Sequence, residues 1–340
     1  MLKNKTNLSN ETQPSLASIK RRSLIQLAAV PALAYLPTTA HAQAWPNRPL
    51  RLIVGYAPGG AVDAMGRLLA ARLTETLGQQ VVVENRTGAS GMIAADTVAK
   101  SAPDGYTIML AESSVLIAKL INPKISFDAF TAFTPVAGAF YTPLMLVANN
   151  DFPATDAKSL VRALKAKPGT YSYATPGVGT VQHLGFELLK SSTGTFAAHI
   201  PYRGASQIIP DVIGGQVQLG VLSVGAGLAQ TKTGKLKAIA LFSSSKFQGA
   251  EGISSLSDVM QNFNVAPNLF VVQPAGTPAD LVNRLSATIK TIMASEEFSQ
   301  TVIRQGAVSA YAPPAQLSND WKQETAQWAR LIREQKIVTD

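Results

Sequence analysis

The sequence predicts an α/β protein of two lobes, and three observations carry that reading. The chain has 340 residues, 46% of them hydrophobic and 15% charged, enough for large buried cores and, by length, about two domains. Apolar, β-branched runs alternate with helix-period segments through most of its length. Two extended, proline-bearing stretches, "TPLMLVANNDFPATD" and "APNLFVVQPAGTP", read as crossings between the lobes, which places a cleft and a hinge there. The crossings predict a discontinuous first domain, 43–147 plus 268–340, and a continuous second one, 148–267.

Residues 1–42 read as an export signal. A basic leader ends in Lys20-Arg21-Arg22, the apolar run Leu24 to Leu36 follows, and Ala40-His41-Ala42 matches an A-x-A cleavage site before Gln43. The apolar run is too short to span a bilayer, which takes about 20 residues. "KRRSLIQ" fits a twin-arginine signal except at Leu24, where that signal prefers Phe, so the twin-arginine and general secretory routes both stay open. The leader takes five of the 30 Lys and Arg and one of the 21 Asp and Glu. What remains is mildly basic, without the Lys/Arg cluster that tracks a phosphate backbone, which argues against nucleic acid as a partner. Cysteine is absent, excluding disulfides, thiolate metal ligands and a Cys nucleophile.

Strands are predicted at 49–56, 80–85, 106–112, 143–149, 171–175, 198–203, 217–223, 237–243 and 269–273. Several are almost continuously apolar, as strands covered on both faces must be. Helices fall between them at 61–77, 91–101, 156–167, 181–192, 205–213 and 225–233. This alternation predicts mostly parallel sheets with right-handed crossovers. After Pro274 the pattern becomes three helices with no further strand. The last, Ser318 to Gln335, lines up Trp321, Trp328, Leu331 and Ile332 as a packing stripe.

Two loops stand out. In "VGYAPGGAVDAMGR", Val54 to Arg67, a strand ends, Pro58-Gly59-Gly60 turns, and a helix begins with Ala61, Val62 and Asp63 after Gly60 as N-cap. Glycines let a ligand approach closely, and the free N–H groups and dipole of the helix start favour an anion. Neither a P-loop nor a G-x-G-x-x-G fingerprint is present. Asp63 either caps its own helix, or orders the loop or accepts a hydrogen bond from a ligand. The second loop, "YATPGVGTVQHLGFELL", repeats the logic with Gly177 and Gly179 at the turn, Thr175 and Thr180 offering hydroxyls, and Thr180 able to cap. Facing each other across a cleft, the two would converge on one anionic group.

His183 and His199 are the histidines left after cleavage, and their spacing matches no zinc motif. His183 reads as packed or capping rather than catalytic, and no G-x-S-x-G elbow is present. Arg203, in "HIPYRGASQIIPDVIGGQV", reads as a surface residue or structural ion pair more than as a carboxylate partner.

These segments, together with "WPNRPLRLIVGYAPGG", "VVVENRTGASG", "VAKSAPDGYT" and "PAGTPADLVNRL", resemble the periplasmic substrate-binding receptors of tripartite tricarboxylate transporters, the Bug proteins. The resemblance covers essentially the whole chain after the leader. It implies a type II periplasmic-binding-protein fold, a Venus flytrap, in which backbone amides, hydroxyls and waters from two loops hold a ligand carboxylate. By position, the first loop supplies Ala57, Pro58, Gly59, Gly60 and Asp63. The second supplies Thr175, Gly177, Gly179, Thr180 and His183. Ser113, Ser114, Tyr202, Arg203, Gly204 and Ser223 fall on the walls. The chain departs from the family pattern at Glu112, where a small residue is usual, at Ser223, at Asn268-Leu269-Phe270 and at "GISSLSDVM".

The resemblance thus implies a monomeric periplasmic receptor that delivers a small carboxylate to a membrane transporter or sensor, with no cofactor, metal or catalytic residue. An enzyme on the same fold is the rival; it would need Glu112, Asp63 or His183 as acid or base. The effector domain of a transcription factor is disfavoured by the export signal and the lack of a helix-turn-helix segment.

Overall fold

The computed structural model describes residues 45–244 and 247–334; the expected export signal lies outside the described residues. From the N-terminal side run β1 (Leu50–Val54), α1 (Ala61–Leu77), β2 (Val81–Asn85), α2 (Met92–Ala99), β3 (Thr107–Glu112), α3 (Ser114–Ile121), α4 (Ala129–Ala132) and β4 (Phe133–Tyr141). The middle of the chain forms β5 (Leu144–Ala148), α5 (Ala157–Ala166), β6 (Ser172–Thr175), α6 (Val181–Thr193), β7 (Ala198–Pro201), α7 (Ala205–Ile213), β8 (Leu219–Ser223), α8 (Val224–Thr231) and β9 (Lys237–Leu241). The last stretch adds β10 (Asn268–Pro274), α9 (Ala279–Met293), α10 (Glu296–Arg304), β11 (Val308–Ala312) and α11 (Pro314–Glu334).

Each lobe is built on one sheet. The first has the order β11-β4-β10-β3-β1-β2, the second β7-β6-β8-β5-β9. The expectation of mostly parallel sheets is corrected: β1 runs parallel to β2 and β3, and β6 to β7 and β8. By contrast β10 is antiparallel to both β3 and β4, and β5 to both β8 and β9. The cause is the crossings. Most strands run towards the cleft and end there, whereas β5 and β10 enter their sheets from it, and β11 runs back antiparallel to β4. The expectation of no strand after Pro274 is also corrected, because β11 pairs with β4 at the sheet edge.

The crossings lie side by side, with the Thr142 N–H donating to the Pro267 carbonyl at 3.1 Å. Because β5 belongs to the second sheet, the first crossing is Thr142-Pro143, and a boundary at 147 would give the first domain a strand of the other sheet. The tryptophan stripe of α11 is indeed packing, and it serves both lobes. Leu317 and Trp321 join the core around Ile53 and Phe270, whereas Trp328 and Ile332 join the core around Leu146 and Phe186.

Candidate functional site

The strand ends of both sheets meet the crossings around one small cavity. The first lobe contributes Tyr56, Gly60, Ala61, Val62 and Glu112, and the second contributes Pro176, Gln182, Gly204, Ala205 and Ser223. Thr142, Pro267 and Leu269 close it from the crossings, and about 40 Å³ remains for the centres of water-sized spheres. A single water needs roughly 10–15 Å³ on that measure, so the cavity suits a compact solute.

On the first-lobe side the start of α1 is left open. Gly60, its N-cap, is extended and supplies no side-chain cap, so the first-turn N–H groups have no helical acceptor, and Gly60, Ala61 and Val62 line the cavity. Asp63 is not their partner from the ligand's side. It is 3% exposed, and its Oδ2 accepts from the Gly59 N–H at 2.9 Å and from Arg67 Nε at 3.0 Å. Its Oδ1 accepts from Asn85 Nδ2 at 2.8 Å. Burial alone would raise the Asp63 pKa, but Arg67, Gly59 and Asn85 outweigh it and hold the carboxyl below its ordinary value. Asp63 therefore orders the loop. Gly59 sits at φ +81°, a conformation that suits glycine, while Pro58 is exposed at the rim.

On the second-lobe side the open helix start belongs to α7. Gly204 is its N-cap, again without a side-chain cap. The two open starts are held together: the Ala57 N–H donates to the Arg203 carbonyl at 3.3 Å, and a Cβ on Gly204 would stand 3.1 Å from the Ala57 Cβ. Two positive helix ends bordering one cavity favour an anion between them.

The loop 175–180 behaves differently from its sequence reading. The Thr180 hydroxyl accepts from the His183 N–H at 3.3 Å, capping α6, and donates to the Gly177 carbonyl at 2.8 Å. Thr175 Oγ1 bonds to the Gly177 carbonyl at 3.1 Å and meets His199 Nε2 at 2.7 Å. His183 Nδ1 accepts from the Gly179 N–H at 3.2 Å. His183 stacks on His199 with ring centres 4.1 Å apart, and burial pushes their pKa values down to about 4 and about 3. Neutral His183 thus holds the loop. Glu187, four residues on, accepts from the Tyr173 hydroxyl and from Lys190 Nζ.

From this segment only Pro176, and Gln182 on α6, line the cavity. Its glycines press on the first lobe instead. A Cβ on Gly177 would stand 2.4 Å from Ser90 Oγ, and one on Gly179 2.8 Å from Ile121 Cδ1. The Ser90 hydroxyl donates to the Val178 carbonyl at 2.6 Å.

The remaining wall positions divide. Ser223 lines the cavity while its hydroxyl caps α8 through the Ala226 N–H at 3.3 Å. Ser113 is fully buried, its Oγ accepting from the Asn268 N–H at 3.0 Å. Ser114 shares a 2.9 Å hydrogen bond with the Tyr56 hydroxyl and lines a neighbouring cavity with Ser90 and Gly179. The Tyr202 hydroxyl donates to Asp211 Oδ2 at 2.6 Å, and burial together with Asp211 pushes its pKa up to about 12. Arg203 is exposed and joins the site through its backbone. Among the described residues no cluster of His, Asp and Glu could hold a metal ion.

Sequence reasoning left Tyr56, Glu112, Thr142, Gln182 and Pro267 out of the site. Thr142 and Pro267 lie within the quoted crossings, and that was their signal. Glu112 stands out in the sequence as a departure from the family pattern and as the acid or base an enzyme would need, not as a ligand-binding residue. It is 1% exposed, and burial pushes its pKa up to about 7. Tyr56 and Gln182 approach it, yet neither carboxylate oxygen reaches a hydrogen-bond partner among the described residues.

Two sheet-based lobes joined by paired crossings around a small cavity give the architecture of a two-lobe solute-binding receptor. The family model of the tripartite tricarboxylate transporter family receptor matches residues 65–337, and the chain belongs to that family. It is a receptor and not an enzyme. Protein BugT of Bordetella pertussis is 33% identical over 306 residues, 89% of this chain and 94% of that protein. The periplasmic binding protein BugD superposes with a TM-score of 0.82 at 29% identity, over 87% of this chain and 100% of that one. An R. palustris protein solved with adipate gives a TM-score of 0.84 at 28% identity, over 86% of this chain and 99% of that one.

Proposed function

We propose that the protein is an exported, periplasmic receptor that closes on a small carboxylate and passes it to a membrane transporter of the tripartite tricarboxylate type. The observation that carries this reading is the pair of uncapped helix starts, Gly60 of α1 and Gly204 of α7, bordering one cavity. Each presents N–H groups that lack an acceptor within their helix, and an anion between them satisfies both at once. The adipate held by the R. palustris neighbour is of the same chemical class. Among the described residues no helix is long and apolar enough to cross a membrane.

The lobes act as jaws, 45–141 with 268–334 against the lobe built on β5 to β9, hinged at Thr142-Pro143 and Pro267. Ligand selects the closed state because only that state brings both helix starts onto it. Of the residues expected to bind, Gly60, Gly204 and Ser223 touch ligand in this reading. Gly59 and Asp63 shape the first loop, and Thr175, Gly177, Gly179, Thr180 and His183 shape the contact between jaws.

The test is Ala61→Asp. It puts a carboxylate on the first turn of α1, where helix stability tolerates it but an anionic ligand is repelled. With a panel of mono- and dicarboxylates, wild-type protein gains melting temperature and Ala61→Asp loses at least a hundredfold in affinity while keeping its fold. Unchanged affinity in the variant would reject the site.

A further inference from the structure

The cavity has a second chemical character that a carboxylate alone leaves unanswered. Glu112, Gln182 and Thr142 line it together with the helix starts. Both carboxylate oxygens of Glu112, Gln182 Oε1 and Thr142 Oγ1 have no hydrogen-bond partner among the described residues, though these side chains are only 1%, 9% and 3% exposed. Buried acceptors without donors are costly and uncommon in folded proteins. The oxygens of Glu112 and Gln182 lack donors and a positive charge, just as the N–H groups of the two helix starts lack acceptors. An ammonium group brings three donors and one charge.

We propose that the ligand is an amino-carboxylate, its carboxylate seated on the starts of α1 and α7 and its ammonium received by Glu112, with Gln182 and Thr142 as further acceptors. This rests on the carboxylate reading above and narrows it. The surroundings of Glu112 agree. The groups that act on it are the Tyr56 hydroxyl, the Gln182 amide and the like-charged Glu324 of α11, none of them a cation. Burial pushes the Glu112 carboxyl up to about 7 in the unliganded protein. An arriving ammonium draws it back down, so the ligand's own charge completes the pair and a proton leaves on binding near neutral pH.

The experiment compares amino acids with their des-amino counterparts: aspartate against succinate, glutamate against glutarate, γ-aminobutyrate against butyrate, and the remaining common amino acids against the matching simple acids. Affinities are measured by calorimetry at pH 8 on the full mature chain, wild type and Glu112→Gln. The wild type is expected to bind at least one amino acid tenfold or more tightly than its counterpart, and Glu112→Gln to erase that preference. Heats in two buffers of different ionisation enthalpy should report proton release at pH 7. Des-amino acids binding as tightly as amino acids, or a preference that survives in Glu112→Gln, would overturn the inference while leaving the carboxylate reading standing. If neither series binds wild type, the carboxylate reading fails and this inference falls with it. Folding of the variant is checked by its melting curve. Because the Glu112 pKa is raised, its contribution to stability is full below about 4.5 and is lost as pH rises through about 7, so unliganded Glu112→Gln should lack that loss.

Discussion

The loops 57–63 and 175–180 have the same sequence logic, a strand, a glycine turn and a helix, yet they do different work. The first leaves its helix start open, because Gly60 has no side chain and Asp63 turns inward to hold Gly59, Arg67 and Asn85. The second uses its donors and acceptors on itself, through the Thr180 cap, the Thr175 contacts and His183 Nδ1 on Gly179. Hydroxyls beside a glycine turn look like offers to a ligand, but they are equally suited to satisfying the turn's own backbone. Gly204, with no hydroxyl beside it, leaves the start of α7 without a side-chain cap, as Gly60 leaves that of α1.

The contrast can be broken most severely at Asp63. Asp63→Ala strands the Gly59 N–H and Asn85, which the carboxylate now satisfies. Loss of a buried, multiply bonded carboxylate should cost about 2–3 kcal/mol in denaturant melts and loosen the first loop, so affinity falls as well. Because the wild-type carboxyl is held below its ordinary pKa, the stability it contributes is present above that ordinary value and lost as pH falls through the lowered one. The variant should show a flatter acid limb, and a wild-type limb in the variant would place Asp63 outside the loop's support.

Gly177→Ala acts on closure instead. Its Cβ would meet Ser90 Oγ at 2.4 Å, and Gly177 sits at φ +148°, so the jaws should no longer meet fully. Affinity is expected to drop about tenfold, roughly 1.4 kcal/mol, and solution scattering should show less compaction with saturating ligand than wild type shows. Full compaction would deny the loop its latch role. Thr180→Ala removes the α6 cap and should cost about 1 kcal/mol of stability, with affinity measured by calorimetry within threefold of wild type. A large loss of affinity would return the second loop to the ligand. Arg203→Ala should change affinity least, by less than tenfold, since only its backbone joins the site; a larger loss would reveal a direct ion pair.

The covered α/β units were readable because their strands are apolar and their helices amphipathic. Residues 50–54, 107–112 and 144–148 are buried on nearly every position, and such runs announce themselves. What escaped lacks that signal. β4 carries Pro135 and Gly138, and Gly138 is required where Ala312 and the Ala310 carbonyl press against it. β11 is a partly exposed edge strand, "VSAYA", which exists by pairing with β4. The direction of β5 and β10 is a property of the crossings, invisible to local pattern. In the site, the open helix starts could be read from glycine at the N-cap, but whether Thr175, Thr180 and His183 face a ligand depends on partners such as His199 and Gly179, brought together only in the folded chain. Glu112 was visible as an acid in an apolar strand, but its place in the cavity needed Gln182 and Thr142 beside it.

The decisive measurement is a crystal structure of the protein loaded with the small molecule that co-purifies with it, identified first by mass spectrometry. The ligand's carboxylate should accept hydrogen bonds from first-turn N–H groups of both α1 and α7, with none from residues 177–180. A carboxylate resting instead on the amides between Gly177 and Thr180 would contradict the account.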